Sequence, residues 1–458
     1  MTAYVVVGLG GSGLSAVKFL TKQGHDVTVV DENASPSLAD KLPAGVTTAF
    51  GGIDADTLLS ASCIVISPGI DPLIDPVVQA KQANIPVISD VQLFIDALQA
   101  RDEERGMHTP MVAITGSNAK STVTTLVGEM ASQAGKVVGV GGNIGTPALE
   151  LLNIPNMDMV VLELSSFQLE HITALGADVA TVLNLSADHL DRHGDMTNYL
   201  ALKLRIFDQA KTMVVCTDDN ALMTACQIAN TGAGMIKTCG QIGESWDKAS
   251  DFYLMRQADE ILLCHQGDVW VSADKLQIKG KHNLLNALSA LALGQAVGLD
   301  KDSMLTALQA FAGLPHRCQF VAEVGDKAYF NDSKGTNIGS TLAALDGLGA
   351  VYGKRSLALI VGGQGKGQDF AELTPFADNF ADKIYLIGQD KDIIKAKLAE
   401  QIAFDRLIDA GTLDVAVSLA AQSDARAVLL SPACASLDQF KNYNERGERF
   451  MALVDKLA

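Results

Sequence analysis

The sequence predicts an α/β protein with three domains, each built on a largely parallel sheet. The chain has 458 residues, which at roughly 150 residues per domain favours three domains. Short apolar segments alternate with amphipathic ones, as in a parallel α/β unit, and this alternation restarts twice along the chain. Two glycine-rich loops each follow a strand and open a helix. We expect the domains at residues 1–98, 99–312 and 313–458.

The composition indicates a cytoplasmic protein with neither a nucleic-acid nor a membrane partner. Asp and Glu number 53 against 35 Lys and Arg, a net charge of −18, whereas nucleic-acid binding needs a basic surface. The seven cysteines are scattered and include no C-x-x-C pair, which favours free thiols over disulfides or a zinc site. The N-terminus lacks the basic segment of a signal peptide, and no apolar run reaches the ~18 residues of a membrane span.

The first domain is predicted to be Rossmann-like. Residues 8–13 read "GLGGSG", which fits G-x-G-x-x-G between a predicted strand and helix, and the second strand ends on Asp31 and Glu32. Such a loop presents backbone N–H groups to a diphosphate. Taken alone, the motif indicates an NAD or FAD oxidoreductase. The predicted strands cover residues 4–7, 26–30, 63–66 and 86–88.

The second glycine loop predicts an ATP site in a central, P-loop ATPase-like domain. A charged, turn-rich stretch at residues 98–110 is expected to be a linker, and "MVAITGSNAKST" then reads as a strand, a loop and a helix start. In a P-loop the backbone cradles phosphates, so Lys120 would contact the terminal phosphates and Ser121 would bind Mg²⁺. The pattern G-x-x-x-x-G-K-[ST] is incomplete, because Ile114 and Ala119 occupy its glycine positions. The alternative is an ordinary strand–helix turn with a solvent-facing lysine.

Other polar residues of the central domain are weaker candidates. Glu163 ends the apolar strand of "MVVLEL" and is a plausible Mg²⁺ ligand, although it could be a strand-end acid without a role. Asp188, His189, Asp191 and His193 cluster after another strand, in a spacing that is not typical of zinc sites. A polar loop that caps a helix is the alternative for this cluster. Lys203 lies in an amphipathic helix, where a lysine is ordinarily a surface residue.

The remaining sequence predicts the end of the central domain and a Rossmann-like C-terminal domain. A more β-like section at residues 252–278 precedes a long apolar helix at residues 283–294. "GLPHR" then marks the next junction. The last block alternates again, with strands expected in "KAYFNDS", "SLALIVGG", "KIYLIG" and "AVLLSP".

The order of these motifs resembles the Mur ligase family, ATP-dependent amino-acid ligases that build the peptide of the bacterial cell wall. The resemblance covers essentially the whole chain. Its elements are "TGSNAKST", "GGNIGTP", "LELSSFQLE", "DHLDRH", "KLRI", "GKHNLLNALSALAL", "GLPHR", "NDSKGTN" and "SPACASLDQFKNYNERG". The last two are most similar to members that add D-glutamate. The resemblance implies a monomer that joins D-glutamate to UDP-N-acetylmuramoyl-L-alanine through an acyl phosphate, releasing ADP and phosphate.

The resemblance also implies roles for individual residues in the nucleotide site. Two Mg²⁺ ions are implied, with Ser121, Glu163, His189 and a carbamylated Lys203 as ligands. Lys120, Lys203, His189 and Lys334 are the implied catalytic residues. The implied ATP-binding residues are Gly116, Ser117, Asn118, Ala119, Lys120, Ser121, Thr122, Asn283, Asn286, Arg317 and Asp332.

Two substrate sites are implied in the same way. The first glycine loop would then receive the pyrophosphate of a UDP-sugar rather than NAD, with Gly11, Ser12, Gly13, Asp31, Glu32, Ser67 and Gly69 around it. Asn143 matches a substrate contact in the central domain. The D-glutamate site would comprise Lys334, Thr336, Lys366, Ser436, Leu437 and Tyr443, with Lys334 an equal candidate for the phosphates.

Two departures from the family pattern leave alternatives open. Ala119 stands where many members have glycine, and Glu32-Asn33 stand where a hydroxyl and a basic residue are expected, so the uracil contacts stay open. The competing hypotheses are another Mur ligase or a folate polyglutamate ligase, a dinucleotide-dependent oxidoreductase, and a nucleotide-binding module without catalysis.

Overall fold

The computed structural model describes residues 2–229, 232–246, 248–278, 280–365 and 367–457. It contains three sheets of five, nine and six strands, one within each predicted domain range, which confirms the three-domain α/β architecture. The precise domain boundaries stay a prediction. Within the described ranges, no helix is both long enough and apolar enough to cross a membrane.

The N-terminal sheet is entirely parallel, with strand order β3-β2-β1-β4-β5. The order reverses between β1 and β4, and such a reversal opens a crevice at the carboxyl ends of the two strands. The predicted strands are confirmed, and β3 is an addition. The elements are β1 (Ala3–Val7), α1 (Gly11–Lys22), β2 (Asp26–Asp31), β3 (Thr47–Phe50), α2 (Ala55–Leu59), β4 (Cys63–Ile66), α3 (Asp75–Gln82), β5 (Val87–Ile88) and α4 (Asp90–Arg105).

The linker predicted at residues 98–110 is wrong over most of its length, because α4 continues through it to Arg105. The helix ends at Gly106, which adopts the left-handed conformation with φ of 62°. Its last turn is charged because that end is exposed, and this charge produced the linker-like composition. Leu98 and Phe94 of α4 belong to one hydrophobic core that continues into the central domain. The first two domains are therefore joined by shared packing.

The central sheet has strand order β14-β13-β12-β11-β10-β9-β6-β8-β7. β6, which leads into the second glycine loop, is fully buried between β8 and β9. The β-like section predicted at residues 252–278 forms the antiparallel strands β12 to β14. The strands are β6 (Met111–Thr115), β7 (Val138–Gly142), β8 (Met159–Glu163), β9 (Val179–Val182), β10 (Thr212–Cys216), β11 (Gly234–Gly243), β12 (Phe252–Gln257), β13 (Glu260–His265) and β14 (Asp268–Ser272).

Helices cover this sheet and place the loops of the central domain. α5 and α11 bury apolar residues against the sheet in a second hydrophobic core. The long apolar helix predicted at residues 283–294 is confirmed as the middle of α11. The helices are α5 (Lys120–Gln133), α6 (Ala148–Leu151), α7 (Ser166–Leu169), α8 (Leu190–His193), α9 (Met196–Leu204), α10 (Asn220–Ala229), α11 (Lys281–Ala296) and α12 (Lys301–Ala310).

The C-terminal sheet has strand order β15-β16-β20-β17-β18-β19, parallel except for the edge strand β15. All four predicted strands are confirmed. Because β16 and β20 are parallel neighbours, the segments that follow them, "DSKGTN" and "SPACAS", meet at one edge of the sheet. The elements are β15 (Gln319–Val324), β16 (Lys327–Asn331), α13 (Ile338–Tyr352), β17 (Leu357–Gly362), α14 (Thr374–Phe380), β18 (Ala381–Ile387), α15 (Lys391–Leu398), β19 (Leu407–Gly411), α16 (Leu413–Ala421), β20 (Ala427–Leu430) and α17 (Tyr443–Val454).

Candidate active site

The first cavity lies at the crevice between β1 and β4 and has a volume of about 350 Å³. The glycine loop and residues 67–70 line it, together with Asp31. The Asp31 carboxylate supports the loop from below, since its Oδ2 accepts a hydrogen bond of 2.7 Å from the N–H of Leu9. Ser67 donates from Oγ to the carbonyl oxygen of Gly8 at 2.7 Å. These two contacts fix the shape of the loop.

Most predicted residues of this site line the cavity, but two do not. Gly11, Ser12, Ser67 and Gly69 are at its surface. Glu32 is exposed and lies outside the lining. Gly13 faces the protein instead, because a Cβ at this position would lie 2.0 Å from the carbonyl oxygen of Gly8. Its role is therefore the close packing of α1 on β1.

The second cavity lies between the central and C-terminal domains and has a volume of about 990 Å³. It brings together predicted residues that are up to 326 positions apart in the sequence, from Ser117 to Tyr443. The predicted residues in its lining are Ser117, Asn118, Ala119, Lys120, Ser121, Thr122, Asn143, Glu163, His189, Asn283, Asn286, Arg317, Asp332, Lys334, Thr336 and Tyr443.

Four of the predicted residues that the structure describes are not in this lining. Gly116 and Lys203 lie behind the glycine loop, joined by a hydrogen bond of 2.8 Å from Lys203 Nζ to the Gly116 carbonyl oxygen. Ser436 is buried in the loop after β20, and the neighbouring Leu437 is 65% exposed. Lys366 lies outside the described residues.

The second glycine loop is held in a phosphate-binding shape. Its last residue, Ala119, caps α5 in the left-handed conformation, with φ of 65°. The N–H of Asn118 donates to the side-chain oxygen of Asn184 at 2.8 Å, which fixes the loop to the end of β9. Lys120 folds back over the loop, donating from Nζ to the carbonyl oxygens of Gly116 and Ser117 at 2.8 and 2.9 Å. The alternative of a solvent-facing lysine is therefore wrong.

Lys203 is buried, in contrast to the ordinary surface position of a lysine in an amphipathic helix. It is 1% exposed, and its Nζ lies 4.6 Å from the centroid of the Tyr199 ring. Burial, and then the neighbouring charge of Lys120, hold the pKa of Lys203 well below its usual range. The surroundings of this amine therefore favour its uncharged form over the ammonium.

Glu163 supplies the feature best suited to a cation. The side chain is 2% exposed, and its Oε1 accepts a hydrogen bond of 2.7 Å from Asn143 Nδ2. Within the described part of the chain, Oε2 has no hydrogen-bond partner although it is buried. A buried carboxylate oxygen without a donor suits Mg²⁺, which prefers oxygen ligands. No group of three or more His, Cys, Asp or Glu side chains suited to a metal occurs among the described residues.

One buried carboxylate, with no larger group of ligands among the described residues, fits an ion that takes one or two protein ligands. Such an ion completes its coordination shell with phosphate and water. Ser121 and His189 line the same cavity as Glu163. The His189 ring packs edge-on against Phe167, with centroids 5.0 Å apart, and its Nε2 lies 3.8 Å from Asp188 Oδ1. The predicted ligands therefore share one cavity, except for Lys203, which approaches from behind the loop.

Side chains from the C-terminal domain close directly on the glycine loop. Arg317 Nη2 donates to Ser121 Oγ at 2.6 Å. The Asn118 side-chain oxygen accepts hydrogen bonds from Asn337 Nδ2 at 3.2 Å and from Ser340 Oγ at 2.8 Å. We call these three bonds the interdomain contacts. They join the nucleotide loop to the C-terminal domain and define a closed arrangement of the two domains.

The C-terminal wall of the cavity carries a lysine and a buried carboxyl group. Lys334 Nζ lies 3.8 Å from the centroid of the Tyr443 ring, and burial lowers the pKa of Lys334 to about 8. Burial raises the pKa of Asp332 to about 7, although Ser431 Oγ donates to its Oδ2 at 2.6 Å. Asp332 therefore ties the segment before Lys334 to Ser431 through this hydrogen bond, and it also lines the cavity.

The adenine-side candidates and several unpredicted residues complete the site. Asn283 and Asn286 begin α11, and Asn286 Nδ2 donates to Asn283 Oδ1 at 3.3 Å. Sequence reasoning did not single out Asn337, Ser340 or the buried Arg446. Asn337 lies in the motif "NDSKGTN", and Arg446 lies in "KNYNERG" at the end of the last motif. Their position in these motifs is the only sequence signal that could have identified them.

Models of protein families match each of the three domains. The description "Mur ligase MurD-like, N-terminal domain" matches residues 2–89, "Mur ligase middle domain" matches residues 114–294, and "Mur ligase, glutamate ligase domain" matches residues 316–434. Two curated relatives carry the name UDP-N-acetylmuramoylalanine–D-glutamate ligase. The protein of Psychrobacter arcticus is 50% identical over 99% of this chain and 94% of its own length, and that of Pseudomonas aeruginosa is 45% identical over 99% and 98%.

Solved structures share the fold at lower identity. The UDP-N-acetylmuramate–alanine ligase of Thermotoga maritima superimposes with a TM-score of 0.61 at 20% identity, covering all of both chains. A pseudomurein peptide ligase of Methanothermus fervidus does so with a TM-score of 0.58 at 16% identity, again over all of both chains. With all three domain models matched in order and relatives at 45–50% identity over nearly the whole chain, this chain belongs to the Mur ligase family.

Proposed function

We propose that this chain is the ATP-dependent ligase that joins D-glutamate to UDP-N-acetylmuramoyl-L-alanine, giving ADP and phosphate. The observation that carries the proposal is the second cavity, where a phosphate loop with Lys120 and the buried Glu163 faces Lys334 and Tyr443 of another domain. Such a cavity can hold a triphosphate on one wall and an amino acid on the other. The names of the full-length relatives supply the identity of the two substrates.

The first cavity receives the UDP part of the substrate in this proposal. The pyrophosphate lies on the backbone N–H groups of Gly11 and Ser12, at the N-terminus of α1, where the helix dipole favours an anion. Ser67 and Gly69 border it from β4, and Asp31 holds the loop in shape. Gly13 supports the site by allowing close packing of α1 on β1, and Glu32 lies at the periphery of the cavity. The uracil of the substrate is proposed to contact residues that follow β2 in the chain.

ATP occupies the loop from Gly116 to Thr122, with its adenine toward Asn283 and Asn286. The substrate carboxylate must approach the γ-phosphate, so two anions have to be brought together. Lys120 reduces this repulsion from within the loop, and Arg317 does so from the C-terminal domain. Ser121 and Glu163 would hold Mg²⁺, which neutralises charge on the phosphates and polarises the γ-phosphoryl group. The product of this step is an acyl phosphate.

A second Mg²⁺ and a carbamylated Lys203 belong to the same proposal. In its uncharged form, Lys203 Nζ would attack CO₂: a new N–C bond forms, one C–O π bond opens to give the carboxylate, and the nitrogen releases one proton to solvent, so a neutral amine becomes an anionic carbamate. The carbamate and His189 would hold the second ion. With ¹³C-labelled bicarbonate, we expect a carbamate carbon resonance that disappears in Lys203→Met. An unchanged spectrum in that variant would contradict carbamylation at this lysine.

D-Glutamate binds at the C-terminal wall in this proposal. Its amine attacks the acyl phosphate, and cations near the tetrahedral centre stabilise the developing negative charge. Lys334, Thr336 and Tyr443 line the cavity, and the two carboxylates of D-glutamate suit a lysine and hydroxyl groups. Ser436 and Leu437 border this region from the loop after β20, and Lys366 is proposed from the family pattern alone. Asn143 contacts the other substrate.

We also propose a monomer that works in the cytoplasm. All proposed site residues belong to one chain, and ATP is a substrate of the reaction. The domain ranges 1–98, 99–312 and 313–458 correspond to UDP-substrate binding, ATP binding and amino-acid binding. Size-exclusion chromatography with light scattering tests the oligomeric state.

The decisive test is release of phosphate from ATP. We expect turnover with UDP-N-acetylmuramoyl-L-alanine and D-glutamate together, and none when either is left out. Turnover with L-glutamate or L-lysine but not D-glutamate would favour another Mur ligase or a folate polyglutamate ligase. Micromolar binding of NAD(P)H would favour an oxidoreductase. ATP binding without turnover under all these conditions would favour a non-catalytic module.

A further inference from the structure

Arg446 is the largest of the fully buried side chains, and its environment is unfavourable for a cation. The side chain is 1% exposed and lies in the first turns of α17, where the positive end of the helix dipole disfavours a positive charge. Its hydrogen-bond partners are a hydroxyl and two carbonyl oxygens, not carboxylates. Burying a charge without an ion pair costs several kcal/mol. A residue kept under these conditions points to a function other than stability.

The hydrogen bonds of Arg446 join two loops of the C-terminal domain. Its Nε donates to Ser333 Oγ at 3.0 Å, and its Nη2 donates to the carbonyl oxygens of Ser333 at 2.8 Å and Cys434 at 3.1 Å. Ser333 Oγ in turn donates to the carbonyl oxygen of Tyr443 at 2.8 Å. The planar guanidinium group thus fixes the segments after β16 and β20 against the start of α17.

Each of these three segments carries a residue of the proposed amino-acid site. Ser333 directly precedes Lys334, Cys434 lies two residues before Ser436, and Tyr443 begins α17 itself. A rigid fork with several donors can set the spacing of such segments, whereas a lysine offers a single ammonium group on a flexible stem. A displacement of about 1 Å at a substrate-positioning group can reduce the rate by about 100-fold.

We propose that Arg446 is a positioning residue for the amino-acid acceptor, which sets the spacing between the loops that carry Lys334 and Ser436 without touching the substrate. The proposal rests on the location of the amino-acid site given under the proposed function. It does not depend on which amino acid binds there.

The test is Arg446→Lys, with Arg449→Lys as its matched control on the same helix. Arg449 is exposed and its ion pair is with Asp414, so we expect its variant to keep wild-type kinetic constants. In Arg446→Lys, kcat/KM for D-glutamate should fall roughly 10- to 100-fold, while the KM for ATP stays within about twofold of wild type. If Arg446 were purely structural, its replacement would lower Tm without changing the kinetic constants for D-glutamate more than those for ATP.

Ser333→Ala is the second variant, because it removes the hydroxyl between Arg446 and Tyr443 and leaves the buried arginine in place. It should also lower kcat/KM for D-glutamate, but by a smaller factor than Arg446→Lys does. In the double variant, the loss of kcat/KM should be smaller than the two single losses combined. If Arg446→Lys does not fold, an unchanged kcat/KM in Ser333→Ala overturns the proposal. Equal effects on both substrates, or none on D-glutamate, overturn it as well.

The wild-type protein separates failure of this inference from failure of the proposed function. If the wild type uses another amino acid, the D-glutamate assignment falls, and the same comparison is made with that amino acid. If the wild type uses D-glutamate but the variants show no selective loss, only the role of Arg446 falls.

Discussion

Ala119 offers a direct measure of backbone strain in the nucleotide loop. It caps α5 with φ of 65° and ψ of −7°, a left-handed conformation that glycine adopts freely and alanine does not. Its methyl group is partly buried against the core of the central domain. Ala119→Gly therefore relieves strain but loses a small packing contact. We predict that ATP still binds with alanine here.

The change in the free energy of unfolding for Ala119→Gly has three contributions, one stabilising and two destabilising. Relief of the left-handed conformation stabilises the protein by about 1.5 kcal/mol. The greater freedom of glycine in the unfolded chain costs about 0.7 kcal/mol, and loss of a half-buried methyl group costs about 0.4 kcal/mol. We therefore expect Ala119→Gly to be about 0.4 kcal/mol more stable than wild type. Ala100→Gly, at an exposed interior position of α4, should instead lose about 1 kcal/mol.

Differential scanning calorimetry without ligands provides the comparison. For a domain of this size, 1 kcal/mol shifts Tm by about 2–4 °C. Ala119→Gly should raise the Tm of the transition that includes the central domain by about 1 °C, and Ala100→Gly should lower it by about 2–4 °C. The KM for ATP should be unchanged in Ala119→Gly, because alanine already holds the phosphate-binding backbone shape. A loss of stability equal to that of Ala100→Gly would refute the strain argument, and a large drop in KM would show that the methyl group crowds the phosphates.

Three further variants test other contacts. Asn337→Asp keeps the cap of α13 but turns its amide donor into a carboxylate facing Asp188, so kcat/KM for ATP should fall about tenfold, and because Asn337 is 3% exposed the new charge should also lower Tm; an unchanged kcat/KM would show that the bond from Asn337 to Asn118 is dispensable. Asp332→Asn should raise Tm more at pH 8 than at pH 4.5, because a carboxyl group whose pKa is raised from 3.8 to about 7 in the fold costs stability progressively as pH rises between those two values; an equal gain at both pH values would contradict this. Gly13→Ala should cost about 1–3 kcal/mol and raise the KM for the UDP-substrate, because its Cβ would lie 2.0 Å from the Gly8 carbonyl oxygen; an unchanged Tm would contradict this.

The sequence predicted the fold well where strands are buried and apolar. β1, β4 and β6 are nearly continuous apolar runs, because both faces of a parallel sheet are covered. Five strands were not predicted. β3, β7, β15 and β19 lie at sheet edges, and β11 lies inside the central sheet but has only two fully buried residues. The linker error has a similar cause, because the exposed end of α4 has the composition of a loop.

The site was predictable only where a short motif carries the chemistry. Lys120 and Glu163 follow buried strands, so their place at the edge of the sheet could be deduced. The burial of Lys203 could not, because it depends on packing against Tyr199 and a loop 87 residues away. The bonds of Asn337 to the nucleotide loop likewise span 219 residues. Contacts of this kind follow from the docking of domains, which no local pattern encodes.

The charges of the second cavity explain why these separate elements belong together. Lys120, Lys203, Lys334 and Arg317 all have lowered pKa values, for which burial is the largest cause. The charges of Lys120 and Arg317 lower the pKa values of neighbouring lysines further, while Glu163 attracts all four groups. A protein with a net charge of −18 thus concentrates positive charge where a triphosphate is proposed to bind. Because an anion favours the protonated forms, binding of a non-hydrolysable ATP analogue at pH 8 should take up protons, which titration calorimetry in buffers of different ionisation enthalpy measures. Binding without proton uptake at pH 8 would contradict a lowered pKa of Lys334 beside the phosphates.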